Sequence, residues 1–161
     1  MTTRVRGQLP QPGARPVEGR VNRRTASFVD LEVYGKPAPK GSYTQGFGRS
    51  VKDADPRTKG WTERIARVAA LLPGDVLDGA LEAECHFVFD PPKSWDGVTP
   101  PTTKFTYDTD KLVRAAFDGL TQAGVWVDDA RCSRQTSEKW YVGQKDCPLD
   151  EAGCALTVWL R

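Results

Sequence analysis

Two pairs of aspartates bracket one stretch of the chain. Asp108 and Asp110 sit in "YDTDKLVR", and Asp128 and Asp129 close "AGVWVDDA". In extended backbone, residues two apart share a face, whereas in a helix they point to nearly opposite sides. If Asp108 and Asp110 serve one site, Asp108 therefore precedes the helix that follows. Side chains of adjacent residues in extended structure diverge, so one of Asp128 and Asp129 joins such a site directly. Three gathered carboxylates repel unless a cation neutralises them, and the hard cation suited to such oxygens is Mg²⁺, or Mn²⁺ in its place. A carboxylate-held Mg²⁺ facing phosphate oxygens is equipped for phosphoryl transfer. It polarises the phosphate, helps to form hydroxide from water and stabilises the leaving oxygen.

Blander readings compete with this one. Acids near a helix N-terminus stabilise the dipole by roughly 0.3–1 kcal/mol, which accounts for one of the first pair. The second pair could be an ordinary acidic turn before a strand. No Gly-rich phosphate loop is present, since "GSYTQGFGRS" lacks the GK[ST] ending. The single histidine, His86, leaves little room for His-dependent nucleophilic catalysis. The four cysteines, Cys85, Cys132, Cys147 and Cys154, form no CxxC pair, which argues against a zinc site, and without a secretory signal they are expected as free thiols. If the chain is an enzyme, carboxylates carry the chemistry, and no small-molecule cofactor is called for.

The elements that must position these acids are legible in the periodicity. "FVDLEVYG" places Val29, Leu31 and Val33 on one face of a strand that ends at Gly35. A loop of about 25 residues follows, carrying Lys36, Lys40, Arg49 and Lys52 among other basic side chains. From Thr58 the spacing turns helical, with Trp61, Ile65, Val68, Ala69 and Leu72 on one face and Pro73-Gly74 as the stop. "LEAECHFVF" alternates strictly and puts His86 on its polar side. After a Pro-rich loop, Asp110 can act as N-cap of a second helix with Leu112, Ala116 and Leu120 on its apolar face, and Gly124 offers its end. "GVWV" should pair inside the sheet, Cys132–Val142 reads as a polar strand, and "CALTVWL" closes the chain as another. The order is that of an α+β domain, a mixed sheet of about four strands with two main helices packed on it.

Charge divides the chain unevenly. Residues 1–27 hold six arginines and one glutamate, which leaves 17 basic and 20 acidic side chains on the other 134 residues. The first 27 read as a flexible basic arm rich in Arg, Pro and Gly, and 28–161 as the folded domain. Any DNA contact by this acidic body must rest on where its basic residues lie. No apolar run reaches the roughly 18 residues that span a bilayer, and "MTTRVRGQLPQPGARP" lacks the apolar core of a secretory signal, so a cytoplasmic protein is expected.

The segment "DTDKLVRAAFDGLTQAGVWVDDARCSRQTSEKWY" resembles the signature of RusA-like Holliday-junction resolvases, small metal-dependent endonucleases of phages and prophages. The family pattern is D-x-D, a helix with a basic residue and A-x-x-D-x-L, an apolar patch, DD and a strand with a late lysine. Here these are Asp108 and Asp110, Arg114, Ala115 to Leu120, Val125 to Asp129 and Lys139. "GKPAPKGS" and "PPKSW" also look like family features, and the resemblance covers about residues 29–160.

The resemblance implies a homodimer that binds branched DNA in a bacterial or phage-infected cell and nicks two strands of a four-way junction symmetrically. It matches Asp108, Asp110 and Asp129 to metal-binding acids, with Asp128 as an accompanying one. Asp118, four residues after Arg114, could orient that arginine. Two positions depart from the pattern. Lys111 stands where Asn is common, and Arg114 where Lys is typical. Arginine keeps its proton, so Arg114 is expected to hold phosphate charge, not to transfer protons. Lys36, Lys40, Arg49, Lys52, Lys111 and Lys139 are the expected DNA contacts. A branch-selective DNA-binding protein without catalysis and a less selective flap or single-strand nuclease are the competing expectations.

Overall fold

In the computed structural model, residues 17–41, 43–45, 51–53 and 57–161 are described. The chain starts with a hairpin, β1 (Gly19–Thr25) and β2 (Phe28–Tyr34), and a small second hairpin follows, β3 (Tyr43–Gln45) and β4 (Val51–Asp53). Then come α1 (Arg57–Ala69), β5 (Leu81–Phe89), α2 (Thr109–Gln122), β6 (Cys132–Tyr141) and β7 (Gly153–Leu160). The main sheet has five strands in the order β1-β2-β7-β5-β6. Only β5 and β6 pair in parallel, because α2 carries the chain across between them; the other neighbours are antiparallel. The protein is thus a single α+β domain with a mixed sheet and two helices.

The fifth strand corrects the sequence reading. Residues 19–25, expected within a flexible arm, form β1 at the sheet edge. The strand carries little apolar periodicity, since it is half exposed and its arginines do structural work. Arg20 forks onto Glu32 at 2.8 and 3.1 Å, and the Arg23 guanidinium lies over the Phe28 ring. Arg24 donates to the carbonyls of Ala69, Leu72 and Gly74, where a cation satisfies the open end of α1. Residues 1–16 of the expected arm lie outside the described residues.

Alternate residues of β2, β5 and β7 bury one face of the sheet, Val29, Leu31, Val33, Leu81, Ala83, Cys85, Leu156 and Val158 among them, and both helices cover it. Helix α1 buries Trp61, Ile65, Val68 and Ala69, but it ends at Ala69 and leaves Leu72 exposed, contrary to the expected face. Helix α2 buries Leu112, Ala116 and Leu120 completely, with Val113 and Phe117 beside them. It stops at Gly124 (φ 67°) in a Schellman motif, in which Val125 N–H donates to Leu120 O and Gly124 N–H to Thr121 O. "GVWV" does not enter the sheet; Trp126 makes one isolated bridge, to Leu77. All four cysteines are free. His86 is satisfied: Trp140 Nε1 donates to its Nδ1 at 3.0 Å, and its Nε2 lies 2.7 Å from Glu84.

The two helices meet at Gly119. A Cβ there would fall 2.7 Å from Ile65 Cβ and 2.9 Å from the Thr62 carbonyl oxygen. Thr62 in turn donates its hydroxyl to the Ala115 carbonyl at 3.3 Å. Substitution Gly119→Ala should therefore destabilise the domain. Overpacking costs about 1–3 kcal/mol, against the roughly 1 kcal/mol that alanine gains over glycine inside a helix. A lower urea midpoint is expected; a higher one would show that the crossing has slack.

Candidate active site

At the N-terminal end of α2 the chain is extended through Asp108 (φ −76°, ψ 136°) and turns helical at Thr109. Asp108, not Asp110, is thus the N-cap residue, and its side chain caps no backbone N–H. That frees it to face outward, as the two-apart geometry requires: the side chains of Asp108 and Asp110 are 70% and 66% exposed. Each is held by a cation of the next turn, Lys111 Nζ at 3.2 Å from Asp108 and Arg114 at 2.6 Å from Asp110 Oδ2. The hydrogen bond from Arg114 is the main reason that the Asp110 carboxyl sits below the usual carboxylate range.

The residue before Asp108 is under strain. Tyr107 has φ 63°, ψ 171°, a backbone region that L side chains rarely adopt. Its ring packs near Phe89 and under the Arg57 guanidinium, 5.4 Å away. From the facing strand, Lys139 donates to the Tyr107 carbonyl at 2.8 Å and to Thr106 Oγ1 at 3.3 Å. The register of β6 opposite Phe87 points Lys139 at the helical side of the sheet. Burial lowers its pKa, and the charge of Asp108 opposes that shift. The expected lysine thus stands beside the first acid and fixes the turn that presents it.

At the other end of α2, Asp128 accepts from Ala130 N–H at 2.7 Å and caps the 3₁₀ turn Asp129–Arg131. The Asp129 carboxyl is pushed above the carboxylate range, first by burial, then by the hydrogen bond and charge of Asp128 and by the charge of Asp118. Asp118 does not orient Arg114. It binds Lys40 at 2.6 Å, while Lys40 N–H donates to the Lys111 carbonyl, so this loop lysine is a strut between loop and helix. The physical reason is competition: Arg114 already has Asp110 one turn earlier, the acid nearer the helix N-terminus. Lys36 is exposed. Arg49 and the Lys52 side chain lie outside the described residues.

Within one chain the two acidic ends stay apart. Asp110 and Asp118 are two turns from each other on α2, about 12 Å of rise. From the level of Lys139 to the start of β6 beside Asp129 is about 23 Å of strand. Among the described residues no three Asp, Glu, His or Cys side chains converge into a group that could hold a metal ion. The expectation that the returning chain brings Asp129 to Asp108 and Asp110 is not met in the isolated protomer, because the 14-residue helix α2 stands between them. In kind, the donors suit a hard cation: outward carboxylates, and an Asp129 whose charge its neighbours oppose. In number, neither end supplies a complete site.

The sequence model of the endodeoxyribonuclease RusA family matches residues 31–146, a span that includes every acid above. The chain belongs to that family. Among curated proteins no relative matches it. Membership places the chain with endodeoxyribonucleases that act on branched DNA junctions. No helix of the described residues is long and apolar enough to cross a membrane.

The two ends of α2 should respond oppositely to pH. A raised folded-state pKa means that ionised Asp129 weakens folding above that pKa, and the cost disappears as pH falls through it. Without divalent cations, Asp129→Asn should raise the melting temperature at neutral pH and converge with the native chain in acid. Asp110, with a lowered pKa, contributes stability at neutral pH that is lost as pH falls through that value, so Asp110→Asn should lower the melting temperature at pH 7. Thermal melts across pH test both signs; equal and parallel curves would contradict them.

Proposed function

We propose that this chain is a Mg²⁺-dependent endonuclease that resolves four-way DNA junctions by paired nicks, acting as a homodimer. The observation that carries the reading is the family match over a helix whose two ends present the D-x-D acids, each paired with a cation, and the DD acids, whose Asp129 has acidic neighbours. Residues 28–161, together with the β1 strand, would form the endonuclease domain.

Asp108, Asp110 and Asp129 would hold Mg²⁺, with Mn²⁺ as a substitute. When bound, the ion supplies Lewis-acid polarisation of the phosphate and lowers the pKa of a coordinated water. The chain's own residues do the rest. Arg114 would pass from Asp110 to a non-bridging phosphate oxygen, where a guanidinium that keeps its proton stabilises charge. Lys111 would exchange Asp108 for the same backbone. Lys139 spends two of its three donors on the Tyr107–Thr106 turn and keeps one for phosphate. Asp128 holds the turn that carries Asp129.

The separation of the acids gives the second copy a structural purpose. A two-fold partner would bring its DD end to the D-x-D end of the first chain and complete a carboxylate set that one chain leaves short. It would also set two such sites at two strands, which symmetric nicking requires.

The test is cleavage of an end-labelled synthetic four-way junction with and without Mg²⁺, beside linear duplex and flap substrates. Paired nicks near the crossover are expected from the native chain only with metal. Asp110→Asn should slow them by at least about 100-fold, the scale of losing one electrostatic contact to the transition state. Tight junction binding with no metal-dependent nicking would overturn the catalytic reading, and equal rates on all three substrates would overturn the junction selectivity.

A further inference from the structure

We propose that α1 carries a second phosphate-binding track, which receives a duplex arm of the junction beyond the acidic site. This rests on the DNA reading above. A groove of about 450 Å³ runs along the helix, lined by Lys36, Arg57, Trp61, Arg64 and Arg67, with Glu63 as the single acid in its lining. Residues 57, 61, 64 and 67 recur at helical spacing, so the cations share one face over about 15 Å. Phosphates recur every ~3.4 Å of axis along one strand, so the track is long enough for more than one of them. A body with more acidic than basic side chains here concentrates four cations in one concavity, which selects for a polyanion.

Two of the cations are positioned by neighbours that leave donors open. Arg64 donates through Nη1 to the Tyr34 carbonyl at 2.8 Å, and Arg67 forks onto Glu18 from the side. Trp61 lies under the groove at 4% exposure and forms part of its wall between the cations. Arg57 links the groove to the acidic end. Arg57 lies over the ring of Tyr107, the residue before Asp108. Lys36 also lines an adjoining cleft of about 440 Å³ with Phe89, Thr103 and Thr106, whose hydroxyl accepts from Lys139. A strand cut at the acids would therefore continue past Tyr107 and Lys36 onto α1.

The test uses the full chain and four-way junctions with long or trimmed arms. Arg64→Gln with Arg67→Gln should lower the slope of log affinity on log salt by about 2 on the long-armed junction, and weaken low-salt binding by on the order of tenfold. On the trimmed junction the same variant should bind like the native chain, since the track then has no arm to hold. Arg64→Lys with Arg67→Lys should restore most of the long-arm affinity, because phosphate tracking needs charge. An unchanged slope on long arms, or an equal loss on both junctions, would overturn the track while leaving native junction binding in place. If the native chain shows no salt-dependent preference for junctions, the function proposed above fails with it.

Discussion

Gly119 lies against Ile65 and the Thr62 carbonyl, and this contact leaves α2 one position on the sheet. Any side chain there would push the helices apart. With the crossing fixed, Leu112, Ala116 and Leu120 go fully under α2, and its polar face has no choice of direction. Asp108 and Asp110 emerge outward at one end, and Asp118 turns toward Lys40 and Asp129 toward the other. The candidate site residues are thus placed by the packing beneath them, as expected where rigid elements position a site.

Charge balance is the second constraint. Five acids along α2 and its flanks would repel as an acidic ridge, and the fold gives three of them a cation: Lys111 for Asp108, Arg114 for Asp110, Lys40 for Asp118. Asp129 is left with Asp128 and Asp118 as neighbours, and with its burial these hold its carboxyl up. Exposed pairs such as Arg114–Asp110 are weak, which suits the exchange of carboxylate for phosphate proposed for Arg114. The Lys40–Asp118 pair, with Lys40 at 20% exposure, is better protected and serves to tie the loop to the helix.

Much of this was legible in the sequence, for identifiable reasons. The strict alternation of "LEAECHFVF" and the 3.6-residue spacing of Leu112, Ala116 and Leu120 each report one buried face, and the structure has both. The acids stood out because capping explains one of them, not four. What escaped the sequence is long-range. Lys40 and Asp118 are 78 residues apart, so no local pattern announces their pairing. β1 looked like a tail because its arginines bind Glu32 and the end of α1, partners that composition does not reveal. The helix starts after Asp108, not Asp110, because aspartate suits either position and the strained turn at Tyr107, held by Lys139, decides between them. Likewise "GVWV" has a strand's composition, but the Schellman turn at Gly124 sends it across Leu77 instead of into the sheet.

The central claim is that the acids at the two ends of α2 serve one cut between two chains. The direct measurement mixes Asp110→Asn and Asp129→Asn chains, each inactive alone, and assays Mg²⁺-dependent nicking of a labelled four-way junction. If each site draws D-x-D from one chain and DD from its partner, a mixed dimer carries one intact set of acids, and unpaired single nicks should reappear. If mixed dimers form and remain inactive, each site is built within one chain, and the shared-site account is wrong.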